Sequence, residues 1–120
     1  MGKILDFRER ASHEHETIMT LLTEAHRQSC HGEAIVPAVY ELVDVALDRT
    51  LELLSAHAPD LRPAFVIRAD ALRRETEHQR IMDETQAHDR DDSRLKLIQH
   101  LGRFAFDLDS ALGRPPRCHA

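Results

Sequence analysis

Four breaks divide this 120-residue chain into long stretches whose apolar residues recur at helical spacing, and that division most constrains the fold. Ser29-Cys30-His31-Gly32 reads as a helix end. Ala58-Pro59-Asp60-Leu61-Arg62-Pro63 reads as a tight turn. Asp89-Arg90-Asp91-Asp92-Ser93 is a polar break with Ser93 or Asp92 as the next N-cap, and Gly113-Arg114-Pro115-Pro116 stops the last segment. The stretches between run roughly 20–27 residues, about 30–40 Å each at 1.5 Å per residue. Four such helices with short links predict an all-α, up-down-up-down four-helix bundle. The bundle is expected over residues 1–113, with a short tail over 114–120.

Each stretch carries one apolar face. Ile4, Phe7, Ala11, Ile18, Leu22 and Ala25 share a face of the first. Ile35, Val36, Val39, Leu42, Val43, Ala46, Leu53 and Leu54 make a broad face on the second, opposite an acidic strip of Glu41, Asp44, Asp48 and Glu52. Such a strip is most simply a solvated face, and the broad apolar face could serve a homodimer as well as a core. The third stretch aligns Ala64, Ile67, Ala71, Ile81 and Met82. The fourth aligns Leu97, Ile98, Leu101, Phe104, Ala105, Leu108 and Leu112. No alternating strand pattern competes. Few glycines and 4% aromatics also disfavour sandwiches and barrels.

A net charge of −5 opposes nucleic-acid binding, which needs a basic surface. No apolar run reaches the ~18–20 residues of a membrane span, and the N-terminus has no secretory signal, so a cytoplasmic location is expected. Two cysteines, Cys30 and Cys118, are too few for a disulfide framework.

Histidine is the anomaly: there are nine. At 100° per residue, His15 falls inside the first apolar stripe and His78 in the third, with Glu75 one turn before it. His100 and Asp107 share the border of the fourth stripe. With alternate helices running up and down, these five residues come to similar heights and could converge at mid-bundle. Imidazole and carboxylate converging inside a bundle is how such folds bind iron, manganese or zinc. The plain reading stands beside it: an inward His is more often a hydrogen-bonded core residue, and Glu75, His100 and Asp107 are ordinary border residues.

The segments Ser12-His13-Glu14-His15-Glu16-Thr17-Ile18 and Arg74-Glu75-Thr76-Glu77-His78-Gln79-Arg80-Ile81-Met82 resemble the hemerythrin-like, HHE cation-binding family. The resemblance implies a non-haem iron pair that senses, stores or reacts with O₂, NO or peroxide. It carries over at His15 and His78. Asp48 stands where that family has a His on its second helix, and Arg74 where it often has another on its third. A degenerate or atypical site, without catalysis, is therefore the expectation.

Two further resemblances use the same residues. His13-Glu14-His15-Glu16-Thr17 is similar to the phospho-acceptor box of sensor histidine kinases, with His13 as acceptor, Glu14 as the orienting acid and Thr17 placing a water. The Pro that usually follows the Thr is Ile18 here, and no Gly-rich nucleotide loop is present. Arg94-x5-His100 fits the Arg-x4–6-His pattern of HEPN-type ribonucleases, but Arg8–His13, Arg10–His15 and Arg73–His78 fit it too, so the pattern carries little information. A metal-free helical interaction module is the remaining expectation.

Overall fold

The computed structural model describes residues 2–30 and 37–112, with side chains of the first helix described from Ser12 onward. Helix α1 spans Gly2–Ser29, α2 Pro37–His57, α3 Arg62–Glu84 and α4 Arg90–Ala111, with a 3-10 turn at Pro59–Leu61 between α2 and α3. Helix α1 packs on α2 and α4, and α3 packs on α2 and α4. The four helices therefore close into the expected all-α bundle, and no strand occurs among the described residues. The tail over 114–120, with Cys118, lies outside them, as do His31, Ile35 and Val36.

The ends follow from local chemistry. Pro37 opens α2, where its missing N–H costs nothing. Pro63 occupies the first turn of α3. The C-terminus of α3 was not foreseen in detail. The Ala87 N–H donates to the Met82 carbonyl at 3.0 Å, and the Gln86 N–H donates to the Asp83 carbonyl at 3.3 Å. This is a Schellman closure, and its left-handed position, φ 52°, is held by Gln86 rather than glycine. Helix α4 begins earlier than either expected cap. Asp89 is the N-cap, and Ser93 lies buried within the first turns. Asp91 and Asp92 then sit at the positive end of the helix dipole.

The core is aliphatic. Ile18, Leu22 and Ala25 from α1 meet Val39, Val43, Ala46, Leu47, Leu53 and Leu54 from α2, and Leu97, Leu101, Phe104 and Leu108 from α4. The broad face of α2 is thus spent inside the bundle, and of its large apolar residues only Val45 is exposed. Each such burial contributes about 1.5–3 kcal/mol relative to exposure. Phe65 and Phe104 pack edge to face, ring centroids 5.7 Å apart, and the Arg68 guanidinium covers Phe65 at 5.2 Å.

Helix α3 faces the core differently from the expectation. Its buried residues are Phe65, Ala69, Leu72, Thr76 and Gln79. Ile67 and Ile81 are exposed, at 69% and 47%, Ala64 is exposed, and Ala71 and Met82 are half-buried. The true face lies one residue along from the expected one, a rotation of about 100°. Both ladders have helical spacing. The bulky Phe65, with Leu72, occupies the interior, and two polar residues complete their face. The Thr76 hydroxyl donates to the Arg73 carbonyl at 2.8 Å. The Gln79 amide donates to Asp83 Oδ1 at 2.9 Å and to the Arg90 carbonyl at 3.4 Å.

Candidate functional site

That rotation decides where the candidate ligands stand. His15, on the inward face of α1, is buried at 6% exposure. Its partner is Asp109 of α4, Nε2 to Oδ1 3.3 Å, a residue the sequence reading did not single out. His78 is exposed. It lines a cleft between α3 and the first turns of α4, together with Asp92 and Lys96. Lys96 is thirteen positions before Asp109 on α4, about 20 Å along the axis. The expected meeting of His15 and His78 in one interior therefore does not occur. One ring is buried against the C-terminal end of α4, and the other stands in an open cleft toward its N-terminal end.

The remaining candidates divide in the same way. His100 Nε2 lies 3.8 Å from Glu75 Oε1 on the outer α3–α4 seam. Asp107 is taken by arginines: Arg68 Nη1 at 2.9 Å and Arg103 Nε at 3.9 Å. Asp48, in the place where the hemerythrin-like pattern has His, is exposed and pairs with Arg73. Arg73 also lies 3.7 Å from Asp44, so half of the acidic strip on α2 is bound within the bundle. No three His, Cys, Asp or Glu among the described residues stand close enough to hold a metal ion together. A resident two-iron centre does not fit these donors.

Residues around the first motif are also placed. His13 is exposed on the outer face of α1. Glu14 accepts from Arg49 of α2 at 3.2 Å. The Thr17 hydroxyl donates back to the His13 carbonyl at 3.0 Å, a within-helix bond that occupies its donor. Cys30 is a free, exposed thiol with Sγ 4.0 Å from His26 Nδ1.

The α3–α4 cleft is polar. It encloses about 380 Å³ and is lined by Glu75, His78, Met82, Asp89, Asp92, Ser93 and Lys96. Three carboxylates face one ammonium. The floor residue Ser93 is 5% exposed, and its hydroxyl has no hydrogen-bond partner. Glu75 and His78 were legible as neighbours one turn apart. Asp89, Asp92, Ser93 and Lys96 were not linked to them, because only the α3–α4 packing does so.

No family model, no characterised protein and no solved structure matches this chain. No helix among the described residues is long and apolar enough to cross a membrane.

Proposed function

We propose that the chain is a non-catalytic cation-binding bundle whose site is the α3–α4 cleft. The carrying observation is the grouping of Glu75, Asp89 and Asp92 with His78 around one open cavity that contains a single Lys96. A concave surface with excess negative charge concentrates cations at its mouth. The ligand is exchangeable, since no three donors among the described residues converge on one point. Iron, manganese and zinc are the inorganic candidates, with Glu75 and His78 as first contacts and His100 beside Glu75. Kinship with the hemerythrin-like family is part of this proposal, with the site moved from the interior to the outer seam.

The test is calorimetric titration of the full chain with Mn²⁺, with Zn²⁺ and, anaerobically, with Fe²⁺. Glu75→Gln and His78→Ala should each weaken binding by about tenfold, the equivalent of 1.4 kcal/mol, and His15→Ala should not. Sensitivity to His15 with indifference to His78 would return the site to the interior.

The exposure of His13 favours a second reading, histidine phosphotransfer. There the imidazole accepts a phosphoryl group from a receiver domain, and only His13→Ala abolishes the labelled product. A chain that binds no cation and accepts no phosphoryl group is a helical interaction module.

A further inference from the structure

The cleft between α3 and α4 has its acidic groups at two ends rather than around a centre. Glu75 stands level with His100, 3.8 Å away. Asp92 is eight positions nearer the N-terminus of α4, about 12 Å along its axis. Asp89 lies almost one turn further. Carboxylates so separated cannot share one ion, because ligand oxygens must lie within about 2–2.6 Å of a bound metal. They can each take one end of a longer cation. Met82, seven positions after Glu75 on α3, adds an apolar surface toward the Asp92 end of the cleft.

The floor adds an independent sign. The Ser93 hydroxyl is buried with no hydrogen-bond partner. Serine in a helix usually donates back to a carbonyl one turn earlier, as Ser29 does to Ala25 at 2.7 Å. Ser93 does not. The Gln79 carbonyl oxygen, on the facing helix, is also buried without a partner, while the amide nitrogen of the same side chain reaches Arg90, one turn before Ser93. Two buried acceptors left open cost about 1–3 kcal/mol each. An ammonium group carries only donors and satisfies acceptors of this kind.

We propose that the α3–α4 cleft binds an aliphatic polyamine, with terminal ammonium groups on Glu75 and on Asp92 and an N–H directed at the Ser93 hydroxyl. The ligand class rests on the cation-site reading above. Lys96 acts as the internal competitor: it is exposed at the cleft and within 4 Å of no carboxylate among the described residues. Its own charge sets an upper limit on affinity.

The experiment is titration of the full chain at low ionic strength with spermidine, 1,4-diaminobutane, butylamine and, separately, Zn²⁺ and Mn²⁺, read by calorimetry and by amide shifts. Spermidine should bind one to one and about tenfold or more tighter than butylamine, with shifts centred on Ser93 and Glu75. Glu75→Gln and Asp92→Asn should each weaken spermidine about fivefold or more, and Lys96→Gln should tighten it. Ser93→Ala should weaken it while raising the thermal midpoint, because the buried hydroxyl without a partner is gone. Spermidine binding that ignores both carboxylate variants is diffuse charge attraction and overturns the proposal. Zinc binding without spermidine binding overturns the polyamine and leaves the cation site. Failure of both overturns the cation site as well. An ordered water shared by Ser93 and Gln79 that spermidine does not disturb also removes it.

Discussion

His15 of α1 and Asp109 of α4 meet at 3.3 Å, Nε2 to Oδ1, two residues before the C-terminal end of α4. The imidazole is buried, whereas the carboxylate side chain is 36% exposed. The pair ties the first helix to the last where the covalent chain does not. His15→Ala removes a buried ring and should lower stability by about 2–3 kcal/mol. Asp109→Asn should cost less, about 0.5–1.5 kcal/mol, because water solvates its exposed edge. Urea unfolding measures both, and a loss below about 0.5 kcal/mol for His15→Ala would contradict its placement in the core.

The orientation of α3 has a direct thermodynamic signature. Leu72 is 1% exposed and His78 is exposed, six positions later on the same helix. Leu72→Ala should cost about 2–5 kcal/mol, and His78→Ala should stay within about ±0.5 kcal/mol. The reverse order would mean that the Ile67 and Ile81 face, not the Phe65 and Leu72 face, is inside.

Gln86 occupies a left-handed position with φ 52° at the end of α3. Glycine adopts that conformation without a Cβ penalty, and the two closing hydrogen bonds are made by backbone groups. Gln86→Gly should therefore raise stability by up to about 1 kcal/mol, the relieved left-handed strain exceeding glycine's extra unfolded-chain entropy, seen as a higher thermal midpoint. Gln86→Val should lower it, since a β-branched side chain resists φ > 0.

Acid and base act on different ties. The Arg27 hydrogen bond, aided by Gln28, holds the Glu24 carboxyl at about 2. Its folded value lies below the unfolded one, so its stabilisation is present above the ordinary carboxylate range and is lost as pH falls toward 2. Carboxyl NMR should show this low midpoint, and Arg27→Ala should return it toward the ordinary range.

Tyr40 has the opposite sign. Burial, then the neighbouring Asp83, push its phenol well above its usual value. The phenol donates to Asp83 Oδ2 at 3.3 Å and links α2 to α3. Its stabilisation is complete below about pH 10 and is lost as pH rises further. Tyr40→Phe should cost about 0.5–1.5 kcal/mol at neutral pH and flatten the alkaline limb of the stability curve.

Much of the architecture is local in origin. The Pro59 turn, the polar break before α4 and the spacing of Val39, Val43, Ala46 and Leu97, Leu101, Leu108 are properties of neighbours along the chain. Helical periodicity reports them because residues three and four apart share a face before any partner exists. That was enough to determine four helices, their order and the inward faces of α2, α4 and, from Ser12 onward, α1. The face of α3 required the partners. Its two ladders have equal spacing, and hydrophobicity alone preferred the one carrying Ile67 and Ile81. Only the assembled bundle could bury Thr76 and Gln79, because the Gln79 amide reaches the Arg90 carbonyl on α4. That same rotation turned His78 outward, left His15 to Asp109 and brought Glu75 and His78 to one cleft with Asp92 and Ser93. A pattern read along one helix fixes angles about that helix's own axis, whereas which groups meet depends on rotation and height between helices, and those are set by packing.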